Sequence, residues 1–327
     1  MRGTASDHAQ LFIMSVGMTQ ILDPSTGALL CGFPFRAPGA AAYFPDCDLH
    51  EMAGDWHRRA ATNIYRTRDG RYYHIHACMN PAATQTALGL PEHAAVPAAS
   101  LAEAAKPYAA KVAQMEAAPL DRLINEHYRQ AGTVCYSVDE YRASEHGRAN
   151  AHVGLYEVHS RANPRQSAAW WPTPPGADPK RPLFGLKVVE LARVIAGPCA
   201  TRELAEMGAS VMRVAAPHIA DVSTLFPDLS WGKWNSHLDL REEADRATLR
   251  ALVMDADVVL DGYRPGVMEK WGFGQDDVLR MRESSERGIV HVRANCYGWH
   301  GPWAGRSGLQ QISDAVSRAV TVRPARC

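Results

Sequence analysis

Three positively charged residues end or follow strand-like segments in the later half of the chain: Arg193, Arg213 and Arg264. A fourth, Lys233, is predicted to lie in a tryptophan-flanked loop. Arg193 also precedes a turn and a predicted helix, whose unpaired N–H groups and dipole favour a bound anion. Cations that follow successive strands predict a ligand that carries several phosphate groups. The alternative is that each cation is an ordinary surface charge, since exposed Lys and Arg are common.

A second group of residues has side chains that suit a metal ion. His74, His76 and Cys78 alternate along one predicted strand, and a period of two places all three on one face. Imidazole and thiolate groups are zinc ligands, but a fourth ligand at suitable spacing is not evident. We therefore favour a hairpin with one polar and one packed face, and we expect no metal.

Strands and helices alternate in the part of the chain that holds the four cations. The predicted strands are Gly185–Leu191, Ser210–Val214, Asp257–Asp261 and Ile289–Arg293. The predicted helices between and after them are Cys199–Met207, Glu242–Met254, Val267–Trp271 and Gln275–Ser284. This alternation is typical of a doubly wound, mainly parallel α/β sheet. Such sheets bind ligands in the loops at the carboxyl ends of their strands.

The earlier part of the chain has a different pattern. A hairpin is predicted over Asn63–His76, with Asp69-Gly70 as a type I′ turn. Alanine-rich helices follow, and Ser137 with Glu140 predicts a capping box. We therefore expect a smaller α+β domain at residues 1–163, a Pro/Trp-rich connector at 164–181, and a partial Rossmann-like region at 182–327.

Composition excludes several classes of protein. The chain has 327 residues, 46% of them hydrophobic and 21% charged, which is typical of a globular protein rather than a disordered one. Lys plus Arg equals Asp plus Glu at 35 each, which argues against a generally basic nucleic-acid binder. No apolar run is long enough to span a bilayer. Seven cysteines without a CxxC pair, and no signal peptide at the start, favour a reducing, cytoplasmic setting, with peroxisome and mitochondrion left open.

Several ordered motifs give the chain a family resemblance. Residues 182–198, the segment 204–214, Leu238-Asp239-Leu240, the segment 256–269 and the loop 297–308 together resemble the opening of family III CoA-transferases. This group includes formyl-CoA and carnitinyl-CoA transferases, and the α-methylacyl-CoA racemases share its fold. Residues 65–73 and 131–141 resemble the family's small domain. A small-domain-like segment thus precedes a large-domain opening, as in the middle of a tandem duplication or in a shortened or rearranged relative.

The resemblance implies a set of CoA-binding residues. It places Arg193, Val194, Ala196, Arg213, Lys233 and Arg264 near the phosphates, adenine or pantetheine arm of CoA. CoA or acyl-CoA is then a substrate, and no tightly bound cofactor is expected. The resemblance also implies an interlocked homodimer, with assembly with a partner chain as the alternative.

The resemblance leaves the catalytic residue unassigned. Transferases of this family use an aspartate that attacks the acyl-CoA thioester, and it follows the Gly-Pro-Trp-Ala motif at a distance not reached in this sequence. Asp314 is not assigned to that role. Leu309 stands where the racemases have a histidine, which argues against racemase chemistry.

Three functions follow as hypotheses. The first is an enzyme that moves CoA between an acyl-CoA and a carboxylic acid, with secondary metabolism as one setting. The second is a catalytically incomplete CoA- or acyl-CoA-binding relative, or a subunit completed by a partner. The third is a racemase-like isomerase.

Overall fold

A computed structural model describes residues 17–32, 46–52, 54–166, 168–172 and 174–317. Its contacts divide the chain into two units. The first unit, called here the sheet unit, consists of Met1–Leu49 and Asn163–Ala294 as far as these are described. The second, called the hairpin unit, consists of His50–Ala162 and Asn295–Cys327 within the same limits. Each unit therefore draws on two separate stretches of sequence.

Ten strands and eleven α-helices are found in the described residues. The strands are β1 (Gln20–Leu22), β2 (Leu29–Gly32), β3 (Asn63–Arg66), β4 (Tyr72–His76), β5 (Ala131–Val134), β6 (Lys187–Leu191), β7 (Ser210–Ala215), β8 (Lys233–His237), β9 (Val258–Asp261) and β10 (Val290–Arg293). The helices are α1 (Trp56–Ala60), α2 (Pro81–Ala87), α3 (Leu101–Val112), α4 (Ala117–Arg122), α5 (Val138–Ala143), α6 (Glu145–Ala149), α7 (Ala196–Glu206), α8 (Phe226–Leu229), α9 (Glu243–Asp255), α10 (Gln275–Met281) and α11 (Gln310–Ser317). A π-helical segment, Leu123–His127, continues α4, and Glu269–Trp271 is a 3₁₀ turn.

The sheet unit is built on five parallel strands in the order β10-β9-β6-β7-β8. The central strand β6, Lys-Val-Val-Glu-Leu, is buried from its second residue onward, as expected for a parallel strand covered on both faces. The predicted doubly wound, Rossmann-like α/β sheet is confirmed. The chain order reverses between β6 and β9, and that position is the topological switch point of the sheet.

The sequence-based prediction missed one strand of this sheet. Lys233 was expected in a loop, but it begins the edge strand β8, which pairs in parallel with β7. The segment Lys-Trp-Asn-Ser-His has no apolar alternation, because most of this edge strand is exposed. Backbone hydrogen bonds to β7 therefore define this strand, and no hydrophobic pattern in the sequence predicts it.

The core of the sheet unit lies between the sheet and the helices that cross over between its strands. Leu249 and Val253 of α9 are buried against it, together with Phe273 and Val278. The connector contributes to a smaller cluster, where the indole N–H of Trp171 donates to the carbonyl oxygen of Phe184 at 3.2 Å. The additional β1–β2 pair is antiparallel.

The hairpin unit is built on the antiparallel sheet β3-β4-β5, so the predicted hairpin and small α+β region are present. The turn is different from the prediction. Only Gly70 has a left-handed φ, at 79°, and the N–H of Thr67 donates to Arg71 across a loop longer than a two-residue type I′ turn. The capping box is confirmed, since Ser137 and Glu140 bond reciprocally at the start of α5.

The final described helix, α11, belongs to the hairpin unit rather than to the sheet unit. The N–H of Tyr136 donates to the carbonyl oxygen of Ala315 at 3.1 Å. The linear division at residues 163 and 182 stays a prediction about separately folding domains, whereas the contacts join segments from both sides of it. In the part of the chain that the structure describes, no helix has the length and apolarity needed to cross a membrane.

Candidate functional site

Two loops meet at the switch point of the parallel sheet. One follows β6 and leads into α7, and the other follows β9. Their backbones approach closely: a Cβ at Gly262 would lie 3.0 Å from Ala192 Cβ, and a Cβ at Gly197 would lie 2.5 Å from the same atom. The absence of a side chain at Gly262 and Gly197 therefore permits this close approach.

The loop after β6 is held in an unusual conformation. Val194 has a φ of 68°, which is unfavourable for a β-branched residue. Its N–H donates to Asp221 Oδ1 at 2.9 Å, and Arg193 Nη1 donates to the carbonyl oxygen of Ala220 at 2.9 Å. The loop after β7 thus fixes the loop that precedes α7.

The N-terminus of α7 opens at this position. Ala196 is the first residue of this 11-residue helix and is exposed, and Ile195 before it provides no side-chain cap. The first N–H groups of a helix have no partner within the helix and carry a partial positive charge. Together with Arg193, which is only partly buried, they form an electropositive rim at the switch point.

Arg213 has a different environment from the one expected. Its side chain is 1% exposed and lies beside two carboxylates, with Nε 3.4 Å from Glu190 Oε1 and Nη2 2.8 Å from Asp221 Oδ2. The guanidinium also donates to Ser230 Oγ and stacks on the ring of Phe226. The contacts give Arg213 a structural role and leave little of it accessible to a ligand.

Lys233 is enclosed in the same network. Its Nζ donates to Glu190 Oε2 at 2.8 Å, to Thr201 Oγ1 at 2.8 Å and to the carbonyl oxygen of Pro198 at 2.6 Å. These bonds use all three ammonium hydrogens. Burial lowers the pKa of Lys233, and the adjacent Glu190 carboxylate opposes that shift. The structure therefore separates Arg213 and Lys233 from the exposed loops, and their contact with CoA stays a prediction.

Arg264 lies in the loop after β9 and is exposed. Burial raises the pKa of its neighbour Tyr263, and the Arg193 guanidinium of the other loop opposes that shift. Arg193, Val194, Ala196 and Arg264 thus flank the switch point, whereas the other two predicted residues are buried behind it.

An apolar pocket opens beside these loops at the carboxyl ends of β6, β7 and β8, and it encloses about 60 Å³. Tyr263, Val267 and Trp271 line one side, and His218 and Arg241 add polar groups. Arg241 forms a close ion pair with Asp239 in the same region. Asp221, Tyr263 and Arg241 were not predicted as site residues, because nothing in their spacing along the sequence marks them.

The possible metal group at His74, His76 and Cys78 is not assembled. Cys78 lies beyond the end of β4 with a φ of 53°, and its N–H donates to His76 Nδ1. Burial lowers the pKa of both histidines, that of His76 to about 4. Both rings are buried, and so are Tyr73 and Ile75 on the other face of β4, so the predicted polar face of this strand is not exposed.

Comparison with known proteins matches residues 183–324 to the model of CoA-transferase family III. The chain is 54% identical over 312 residues to "Acetyl-coenzyme A transferase nodX" of Hypoxylon pulicicidum, covering 95% of this chain and 52% of that protein. It is 34% identical over 261 residues to "Acyl-CoA transferase" of Gibberella moniliformis, covering 79% of this chain and 45% of that protein. The crystal structure of the hypothetical protein Rv3272 from Mycobacterium tuberculosis is 31% identical, covers 46% of this chain and 42% of its own, and gives a TM-score of 0.40.

The chain spans about half the length of the curated relatives it matches. The first match extends over segments of both units in one alignment, so that relative has the same order of segments over these 312 residues. The motifs identified in the sequence lie in the matched region. Through residues 183–324, the chain belongs to CoA-transferase family III.

Proposed function

We propose that this protein acts in the transfer of CoA between an acyl-CoA and a carboxylic acid. The observation that carries the proposal is the switch point of the parallel sheet, where Arg193, the N-terminus of α7 and Arg264 surround the closely packed loops of a family III domain. The similarity to proteins named acetyl-CoA and acyl-CoA transferases supports the same reaction class.

The geometry supports a division of the site between the parts of CoA. The phosphates suit the electropositive rim, since helix N-termini and Arg side chains both bind phosphate oxygens. The adenine ring suits the apolar pocket beside Tyr263, which the polar side chains of His218 and Arg241 also line. Arg213 and Lys233 then act from behind the loops by fixing Asp221 and α7, rather than by touching the ligand.

The chemical step requires a carboxylate nucleophile. In the mechanism of the family that this sequence resembles, a carboxylate oxygen attacks the thioester carbonyl carbon. The C–S bond then breaks, and the CoA thiolate leaves. The thiolate then attacks the enzyme's own acyl carbon in the mixed anhydride, which releases the first acid and leaves an enzyme–CoA thioester. The carboxylate of the second acid attacks this thioester and expels the CoA thiolate, forming a second anhydride. The thiolate attacks the acceptor's acyl carbon in that anhydride, which gives the new acyl-CoA and restores the enzyme carboxylate. The identity of that carboxylate is not assigned to any residue of this chain.

The experiment is a paired measurement of binding and turnover. Isothermal titration of the full chain with CoA is expected to show binding, and chromatography is expected to show transfer from acetyl-CoA to added carboxylic acids. Incubation with acyl-CoA and hydroxylamine, followed by peptide mass spectrometry, would identify the acylated carboxylate. Absence of CoA binding would contradict the proposal.

Tight CoA binding without transfer or a trapped adduct would favour the second hypothesis, a binding relative or a subunit completed by another chain. We also propose that the protein works as a homodimer or with such a partner, in the cytoplasm. Sedimentation of the purified chain with and without CoA tests the assembly. A monomer under both conditions, with full transfer activity, would contradict it.

A further inference from the structure

Three side chains of the hairpin unit, outside the proposed CoA site, bring metal-binding atoms together. His152, Glu157 and His300 each offer one ligand atom, and these atoms lie within 4.8 Å of one another. His300 Nε2 lies 3.1 and 2.9 Å from the two carboxylate oxygens of Glu157. The ring centroids of His152 and His300 are 4.8 Å apart. Two imidazoles and a carboxylate thus converge on one point.

In the loop that carries His152 and Glu157, apolar side chains are exposed and the carboxylate is mostly buried. Leu155 is 98% exposed, and Tyr156 and Val158 are each 77% exposed. The Glu157 side chain between them is only 20% exposed. Apolar burial therefore does not hold these residues in place, whereas the contacts of Glu157 and His152 with His300 do.

Hydrogen bonds next to the cluster hold the two segments that carry His152 and His300 together without a bound ion. Asn150, two residues before His152, donates from Nδ2 to the carbonyl oxygen of His300 at 2.8 Å. His146 Nε2 lies 2.8 Å from the carbonyl oxygen of Tyr297, in a buried contact. The two segments that supply the imidazoles are consequently joined next to the cluster, which reduces the ordering needed to bind an ion.

A fourth ligand atom, the third nitrogen of the group, is close by. His159 Nε2 lies 3.8 Å from Glu157 Oε2, and its side chain is 74% exposed and so has room to rotate. Nitrogen and carboxylate donors in tetrahedral arrangement are the usual ligands of zinc. Ligand atoms on one zinc ion stand roughly 3.3 Å apart at bond lengths near 2.0–2.1 Å. The exposed imidazoles close the remaining gap by small side-chain rotations.

We infer that His152, Glu157 and His300 form a binding site for one divalent transition-metal ion, with Zn²⁺ the best chemical match and His159 as the fourth ligand. The bound ion links the 152–159 segment to the loop that carries His300. Its role is structural, since the site holds the segment whose apolar side chains face solvent.

The test uses the full chain, purified with its affinity tag removed and stripped of metal. Titration with zinc chloride is expected to show one equivalent bound, and Co²⁺ is expected to give the visible absorption bands of a tetrahedral site. Zinc should also raise the thermal midpoint. Glu157→Gln and His300→Ala are each expected to weaken zinc binding at least tenfold, and to remove the thermal shift.

His93→Ala is the matched control, because His93 is an exposed loop histidine of the same unit outside the cluster. It should leave zinc affinity unchanged. Circular dichroism of the metal-free variants shows whether they fold, and Glu157→Gln keeps the shape of the side chain it replaces. Absence of zinc binding, or binding that survives both cluster substitutions, would overturn the inference.

Discussion

At the scale of single residues, the four cations of the later half divide into two pairs by burial. Arg193 and Arg264 lie in the loops at the switch point, whereas Arg213 and Lys233 are enclosed by carboxylates. The sequence shows the same residue types in all four cases, because Glu190 and Asp221 approach them only after the sheet has formed. Charge could be predicted from the sequence, but accessibility could not.

Arg264→Ala tests the exposed pair. If the guanidinium makes a charge-assisted bond to a CoA phosphate, the substitution should weaken CoA binding by about 1–3 kcal/mol. Isothermal titration measures the loss, and Arg250→Ala, on the exposed face of α9, is the control. Equal affinities in the two variants would remove Arg264 from the site.

Lys233→Met tests the buried pair. The substitution leaves Glu190, itself fully buried, without its ammonium partner, so the free energy of unfolding should fall by about 3–5 kcal/mol. Lys187→Met removes an exposed ion pair with Asp255 and should cost less than about 1 kcal/mol. Denaturant unfolding compares them, and similar losses in both would show that Lys233 is no more tightly integrated than a surface lysine.

At the scale of elements, the strained loop after β6 depends on the loop after β7. Val194 keeps its left-handed backbone, which costs about 1–3 kcal/mol, while Asp221 accepts its N–H. Asp221 also holds Arg213 through its other oxygen. One carboxylate thus couples the buried network to the loop proposed to face CoA.

Asp221→Ala should therefore weaken CoA binding although Asp221 is not proposed to touch it. The expected loss is roughly 5- to 30-fold, equivalent to about 1–2 kcal/mol. Asp221→Asn keeps an oxygen for the Val194 N–H and should retain more of the affinity. Asp178→Ala, in an exposed turn, is the control. Full affinity in the alanine variant would show that the loop keeps its conformation unaided.

Most elements of the parallel sheet could be predicted, and the exceptions have physical causes. Strands β6, β7 and β9 are mostly buried and mostly apolar, whereas β10 was predicted from its β-branched residues although half of it is exposed. Ser137 and Glu140 predict the start of their helix through local hydrogen bonds. Strand β8 lacks such a pattern because most of its residues are polar and exposed. The turn at Gly70 was assigned the wrong geometry because Asp-Gly fits several hairpin loops.

At the scale of the whole molecule, buried titratable groups make stability depend on pH in opposing directions. Burial lowers the pKa of His76 and of His291 from 6.5 to about 4. Between pH 6.5 and 4, these histidines are therefore more protonated in the unfolded chain than in the folded one. The free energy of unfolding falls as the pH drops toward 4. Asp261 acts against this, because burial raises its pKa from 3.8 to about 6 and the folded state takes its proton first.

Two variants separate these effects. Among the described residues, neither ring nitrogen of His291 has a hydrogen-bond partner, so His291→Leu should flatten the loss of stability between about pH 6.5 and 4. Asp261→Asn removes the opposing group and should make the loss steeper. Denaturant unfolding at several pH values measures both slopes, and slopes that move together would contradict the assignment.

The interleaving of the two units was beyond sequence analysis. Residue patterns are read along the chain, so they predicted one domain after another, whereas Asn295 and the residues after it join a unit begun at His50. Contacts between distant segments decide such membership, and no local periodicity records them.

That interleaving has a consequence for biosynthesis. The contact between the His146 imidazole and the carbonyl group of Tyr297 cannot form until Tyr297 has been synthesised, 151 residues after His146. At roughly 5–20 residues per second, the ribosome needs about 8–30 seconds to supply it. During that interval the five strands of the parallel sheet are synthesised. The hairpin unit, which begins earlier in the chain, still lacks its last segment and remains accessible to chaperones.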